Sequence, residues 1–269
     1  GNNTIISGVG SGTVSDTILA GNGNNIFRLG LGSHTITAGS GTNTLDYSTI
    51  SSDASTGYTI EAYLNSGFAK AWNIGHTIAL MNDTLAGISN VITNNLNAIV
   101  QGSTGNNVIT GGNGNDTFTG NGGNDTMYGG GGDDSLTGGA GNDLLYGDSG
   151  NNTFYTGSGG NDYLYGGSGN NSFYSQHAGV RYDGTNGANL GVGQINFVSY
   201  ASSTASVNVN LLAGVGTSGY ASGDAYAFTP TANVSSINRV YGSIYNDTIT
   251  DSSGNETIYG GNGDDTLNT

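Results

Sequence analysis

The chain has no cysteine, one proline, and four Lys and Arg residues against 19 Asp and Glu among 269 residues. Without cysteine there is no disulfide scaffold and no thiolate-ligated zinc or iron–sulfur site. Four cations cannot neutralise a run of phosphates, so nucleic acid is excluded as a partner. No uninterrupted apolar run approaches the ~18 residues of a membrane helix, so no membrane insertion is expected. Nor does a basic segment lead into an apolar core within this span, as a secretory leader would. The formal charge is −15, and 51 residues are glycine, against a usual share of roughly 7%. Glycine and charge together suit a disordered chain unless the glycines are periodic.

They are periodic. From Gly102 the sequence falls into nine-residue blocks: GSTGNNVIT, GGNGNDTFT, GNGGNDTMY, GGGGDDSLT, GGAGNDLLY and GDSGNNTFY. A ten-residue block, TGSGGNDYLY, follows, and GGSGNNSFY closes the run at Tyr174. Glycine clusters at positions one to four, and position six is Asp or Asn. Position eight is large and apolar throughout: Ile109, Phe118, Met127, Leu136, Leu145, Phe154, Leu164 and Phe173.

Glycine allows a tight turn at positive φ with little steric cost. The following three residues suit a short strand whose middle side chain points inward. One block is then half a coil, two blocks make a full turn, and successive coils stack at roughly 4.8 Å. One apolar residue in nine does not fit a helix. The same blocks recur more weakly from Ala20, Leu29 and Ala38, and again from Gly242, Asp251 and Gly260.

GGNGNDTFT, GGAGNDLLY and GGNGDDTLN resemble the GGxGxDxUx nonapeptides of the RTX, or hemolysin-type calcium-binding, family. That resemblance implies an all-β fold, a right-handed parallel β-roll or β-helix solenoid with Ca²⁺ in its turns. It also implies type I secretion and folding outside the cell.

Calcium takes six to eight oxygens, which glycine-rich turns can supply as carbonyls beside a position-six carboxylate. Blocks n and n+2 stack, so the expected pairs are Asp116 with Asp134, Asp125 with Asp143, Asp143 with Asp162, and Asp247 with Asp265. Weaker metal candidates are Asn107, Asn152 and Asn171, whose amide oxygen can ligate without charge, together with Asp133, Asp264 and Glu256. In the N-terminal blocks position six is Asn25, His34 and Asn43, where little or no calcium is expected. Residues 102–174 hold seven acids and residues 242–269 hold five, with no Lys or Arg in either. Such stacked carboxylates repel unless a cation joins them.

The chain thus divides into degenerate repeats at 1–46, a spacer at 47–101, central repeats at 102–174, a second spacer at 175–241 and C-terminal repeats at 242–269. The spacers look like two copies of one design. Ile60, Ala62 and Leu64 alternate before Gly67 as Val207, Val209 and Leu211 do before Gly214. Ile88 and Val91 match Ile237 and Val240 at the return to repeats. Strand alternation dominates both, with a short helical turn weakly compatible with Ala79 to Val100. Spacers that continue the roll with wider coils would make one elongated solenoid domain.

No catalytic motif is readable. The match of GVGTSG at 214–219 to GxGxxG has no helix pattern behind it. His34, His76 and His177 are far apart, and Asp133–Asp134 and Asp264–Asp265 sit in the repeat frame rather than as acid–base couples. The tyrosines at position nine read as outward cross-strand pairs. The expected role is therefore non-enzymatic and extracellular: a calcium-rigidified unit of a surface layer, adhesin stalk or filament. Its partners would be further copies of itself, end to end or in a lattice, with a cell-surface polysaccharide as another ligand. A folding and secretion module of a larger exoenzyme or toxin is the alternative. A polysaccharide-cleaving enzyme would have to use the spacer acids Asp53, Asp83, Asp183 and Asp224.

Overall fold

A computed structural model describes residues 1–7, 15–50, 58–73, 79–184, 196–221, 225–226, 228–229, 234–235, 237–252 and 256–269. Asp53, His76 and Asp224 lie outside them. Among the described residues the chain is all β, and the sole helical element is the 3₁₀ turn Gly219–Ala221. The parallel β-solenoid expected from the repeats is what forms. Contacts group the chain into two compact units, Gly1–Gly131 and Gly132–Thr269. The boundary falls inside the central repeats, not at a spacer.

The coil follows directly from the nine-residue block. Each block contributes a strand of about three residues, and alternate blocks pair in parallel. In the first unit Ile109 lies opposite Met127. In the second, Leu136 lies opposite Phe154, and Leu145 opposite Leu164. The latter spacing is one residue longer because the ten-residue block intervenes. Among the described residues each unit therefore has two solenoid sheets, one from odd and one from even blocks, and the second unit adds a two-stranded antiparallel sheet, Phe228–Thr229 with Val234–Ser235. All eight position-eight residues from Ile109 to Phe173 are fully buried, as the middle residue of a three-residue strand facing a core must be. Within each unit they stack from coil to coil: in the second, the rings of Phe154 and Phe173 lie 4.8 Å apart, 16° from parallel. Burying one such ring contributes about 2–3 kcal/mol. Outside the core the position-nine tyrosines pair in the same way, Tyr146 on Tyr165 at 4.8 Å and Tyr155 on Tyr174 at 5.0 Å.

The spacers widen the coil by antiparallel excursions. In the first unit Tyr58–Tyr63 pairs antiparallel with Phe68–Asn73, which pairs antiparallel with Ala79–Ala86. Ala79–Ala86 then rejoins the parallel ladder beside Thr35–Thr37. In the second unit Asn208–Asn210 pairs antiparallel with Val215–Ser218. The first reversal of each excursion occurs at Gly67 (φ 70°) and Gly214 (φ 69°), a backbone region that side chains with a Cβ rarely enter. This is the shared design visible in the sequence. Ile88, Val91, Ile237 and Val240 are all buried where the chain returns to the repeats. The segment from Ala79 to Val100, weakly compatible with a helical turn, is instead three strands: Ala79–Ala86, Asn90–Ile92 and Ala98–Gln101. Its β-branched residues favour a strand, its asparagines weaken a helix, and the neighbouring coils supply the ladder that satisfies its backbone.

Candidate metal centre

Positions five and six lie where the glycine turn enters the strand, and their side chains run in opposite directions along the stack. Position five reaches forward. The N–H of Asn115 donates to Asn97 Oδ1, that of Asn124 to Asn106 Oδ1, and that of Asn161 to Asn142 Oδ1, all at 2.7–2.8 Å. Position six reaches back. The N–H of Asn107 donates to Asp125 Oδ1 at 2.8 Å, that of Asp143 to Asp162 Oδ1 at 2.9 Å, and that of Asp247 to Asp265 Oδ1 at 2.9 Å. Each turn is thereby stitched to both neighbours, and the position-six side chain is drawn under the strand. Asp116, Asp125, Asp134, Asp143, Asp162 and Asp247 are all buried to within 2%.

This arrangement leaves the second carboxylate oxygen facing the turn. A Cβ on Gly111 would collide at once with Asp116 Oδ2 and with the carbonyl oxygen of Gly129, one coil on. Gly242 stands in the same relation to Asp247 Oδ2 and Gly260 O, and Gly138 to Asp143 Oδ2 and Thr156 O. Position one is glycine because a carboxylate oxygen and a carbonyl oxygen converge on the space a methyl would fill. Oδ2 of Asp125, Asp134 and Asp143 is buried and accepts no hydrogen bond. Among the described residues no three His, Asp or Glu side chains cluster as a metal site, so most ligands would be backbone carbonyls. A hard, oxygen-only donor set of this kind suits Ca²⁺. Asp116, Asp143 and Asp247 are the residues that would hold it, and its charge would offset the mutual repulsion of the acids.

The structure sorts the remaining candidates. Asp143 and Asp162, and Asp247 and Asp265, lie in neighbouring coils as expected; Asp265 is half-exposed. Asp162 is engaged differently, because His177 Nε2 lies 2.9 Å from its Oδ2. Asn107 turns its Oδ1 toward Gly102 and the carbonyl of Gly120, so its amide oxygen faces the turn. Asn152 and Asn171 turn Nδ2 that way instead, donating to Gly166 O and Gly184 O respectively, each at 3.3 Å. Asp133 and Asp264 are exposed position-five residues, and Asp133 Oδ1 accepts the N–H of Asn151 at 2.7 Å. Glu256 Oε1 accepts a hydrogen bond from the Ser252 hydroxyl, and its Oε2 is buried.

Several position-six residues lie hidden in the spacers. Asp83 takes the N–H of His34 at 2.7 Å on Oδ1, as the next coil's position six does elsewhere. The same oxygen lies 2.9 Å from His34 Nδ1, and the Tyr47 hydroxyl donates to Oδ2 at 2.6 Å. All three residues are fully buried or nearly so. Burial foremost, and then the charge of Asp83, pushes the Tyr47 phenol well above its ordinary range. Asn196 and Asn238 continue the ladder in the second unit. The signal was present in the sequence: Asn82-Asp83-Thr84-Leu85 repeats the Asn-Asp-Thr-apolar run of the central blocks. Asp83 is thus part of the core rather than an accessible catalytic acid. Asp183 is also buried, and its carbonyl accepts the N–H of Gly166.

Comparison with known proteins agrees with this geometry. A family model, RTX calcium-binding nonapeptide repeat (4 copies), matches residues 11–45, 92–127, 128–160, 154–175 and 235–268, together more than half of the chain. No curated protein matches the chain. The matched segments contain all the carboxylates of the Asp116, Asp143 and Asp247 turns, and they stop short of both antiparallel excursions.

Proposed function

Because the chain belongs to the family of RTX calcium-binding nonapeptide repeats, we propose that it is a secreted structural protein, stiffened by calcium into a unit of a surface layer, adhesin stalk or filament. RTX nonapeptide repeats bind calcium, and proteins that carry them are typically secreted. The observation that carries the reading is the convergence of Asp116 Oδ2 and Gly129 O on Gly111, repeated at Gly242 with Asp247 and Gly260. Each of these Oδ2 atoms accepts one backbone N–H, of Gly112 at 3.3 Å and of Ser243 at 2.5 Å, and a cation between carboxylate and carbonyl would relieve the remaining repulsion; the extracellular millimolar range fills even modest sites. The inward side chains are spent on packing and the position-five and position-six side chains on stitching, which suits a rigid spacer.

The proposed assembly joins copies of this chain through sheet edges. Among the described residues Thr17–Leu19 is hydrogen-bonded to one neighbouring strand only, Thr35–Thr37, and Leu19 is 78% exposed. An uncovered strand with an apolar side chain on show is a template for a further strand. Light scattering of the purified chain in millimolar CaCl₂ tests the assembly. Growth in particle mass with protein concentration is expected, and a monomer at every concentration would overturn it. Isothermal titration with CaCl₂ tests the metal binding itself, with multiple sites per chain expected and no heat of binding contradicting it.

A further inference from the structure

We propose that the chain contains two kinds of coil: those whose position-six carboxylate needs calcium, and those in which a side-chain N–H already stands in the cation's place. The second kind, at Asn25, Asn43, Asn152 and Asn171, closes its turn without metal. The inference rests on the calcium reading above and divides the chain within it.

Asp and Asn have the same shape, so the two kinds can be compared atom for atom. In both, Oδ1 takes the N–H of the preceding coil: Asn43 Oδ1 from Asn25 at 3.1 Å and Asn171 Oδ1 from Asn152 at 3.0 Å. The second atom differs. In the aspartate coils it is an oxygen, which shares the space beside the position-one glycine with a carbonyl oxygen of the next coil and can only accept, as Asp116 Oδ2 does from Gly112 N–H at 3.3 Å and Asp247 Oδ2 from Ser243 N–H at 2.5 Å. In these asparagine coils it is Nδ2, which donates to glycine carbonyls of its own turn and, at Asn43, Asn152 and Asn171, of the next coil. Asn43 Nδ2 donates to Gly39 O at 2.9 Å, Gly41 O at 3.3 Å and Gly87 O at 2.9 Å. Asn25 Nδ2 donates to Gly21 O at 3.1 Å and Gly23 O at 2.9 Å. Asn152 Nδ2 donates to Gly150 O and Gly166 O, and Asn171 Nδ2 to Gly169 O and Gly184 O, all at 3.3 Å.

The position is the same as well. A Cβ on Gly147 would meet Asn152 Nδ2 at 2.5 Å and Gly166 O at 2.8 Å, the geometry found at Gly111 with a donor exchanged for an acceptor. An amide N–H between carbonyls is attractive in itself, and it repels a cation from the place it fills. Asp162 is the one buried central acid whose second oxygen is met by a ring nitrogen, that of His177, and its coil belongs with the asparagine coils.

The consequence is a partly pre-formed solenoid. The coils of residues 20–46 and 147–174 keep their ladders when calcium is withdrawn, while those of residues 111–119 and 242–250 lose theirs. Asn152→Asp and Asn43→Asp test this, since each exchanges one NH₂ for one oxygen. The probe is CaCl₂, titrated into wild type and variants, with melting followed in excess EGTA. Each variant is expected to bind one additional Ca²⁺ and to melt lower than wild type in EGTA only. Unchanged stoichiometry together with unchanged melting in EGTA would overturn the two-class proposal while leaving the calcium reading standing. A wild type that binds no Ca²⁺ would overturn both. Hydrogen exchange of the wild type in EGTA gives a readout that does not depend on the variants folding. Protection at 44–46 and 172–174 with rapid exchange at 248–250 is expected, and uniform exchange would contradict the proposal.

Discussion

The N–H of Asp247 donates to Oδ1 of Asp265 at 2.9 Å, and Asp247 Oδ1 in turn accepts the N–H of Val207 at 2.7 Å. One carboxylate thus ties a spacer residue to a repeat forty residues away. Its Oδ2 takes the Ser243 N–H, and its Oδ1 also takes the Ser243 hydroxyl. Asp247→Ala strips the acceptor from three donors, two of them buried backbone groups. A loss of about 3 kcal/mol is expected, with one calcium site lost. Asp264→Ala, at the neighbouring exposed position, is expected to stay within about 0.5 kcal/mol of wild type. Urea denaturation in calcium buffer compares the two.

The core is one side chain deep per block, so its residues are not redundant. Phe154→Ala removes a fully buried ring stacked on Phe173 and is expected to cost about 3–5 kcal/mol. Tyr259→Ala removes a ring that is 43% exposed although stacked on Tyr241 at 4.4 Å, and about 1 kcal/mol is expected. Thermal melts of the two variants should separate clearly.

Glycines in the turns differ in what they tolerate. Gly150 has φ 120°, and a Cβ there would overlap the carbonyl oxygen of Gly132. Gly159 has φ 82° with no atom within 4 Å of its would-be Cβ. Gly150→Ala should prevent the coil from closing, whereas Gly159→Ala carries only the backbone cost of about 1–2 kcal/mol. Soluble yield and melting temperature of both variants check the contrast. Asn121 (φ 74°) and Asp148 (φ 62°) show which other residues the turn admits, since their short polar side chains tolerate this region best.

Alkaline pH should unfold the first unit through Tyr47. Its phenol is raised by burial, then by the charge of Asp83 and the hydrogen bond to it. A raised folded-state value means the folded chain holds its proton longer than the unfolded chain. The associated stability is complete below pH ~10, the ordinary tyrosine value, and falls as pH rises beyond it. Tyr47→Phe should flatten that fall while lowering stability at neutral pH through the lost hydrogen bond to Asp83. Melting temperatures from pH 7 to 11 provide the measurement, and parallel profiles would show that Tyr47 is not the group responsible.

The repeats were legible because one physical requirement recurs every nine residues: glycine where oxygens converge, an acid or amide at position six, an apolar residue at position eight. That frame located Ile109 through Phe173 in the core and Asp143 beside Asp162. The spacers were harder, because their antiparallel excursions interrupt the period. Asp83, a position-six residue 49 positions from its partner His34, can be recognised only once Ala79–Ala86 is seen to rejoin the ladder. The sequence also does not distinguish the amide orientation of Asn107 from that of Asn152. The difference depends on what the neighbouring coils offer: Ser103 donates to Asn107 Oδ1 at 2.7 Å, whereas glycine carbonyls receive Asn152 Nδ2.

On the calcium reading, the metal holds the position-six carboxylates in place. The most direct test is far-ultraviolet circular dichroism of the purified chain, started in EGTA and titrated with CaCl₂ through about 10⁻⁵–10⁻² M, a range that brackets extracellular modules. The β signal and the melting temperature should rise together and saturate. A spectrum and melting temperature that stay the same from EGTA to about 10⁻² M would contradict calcium binding at these carboxylates.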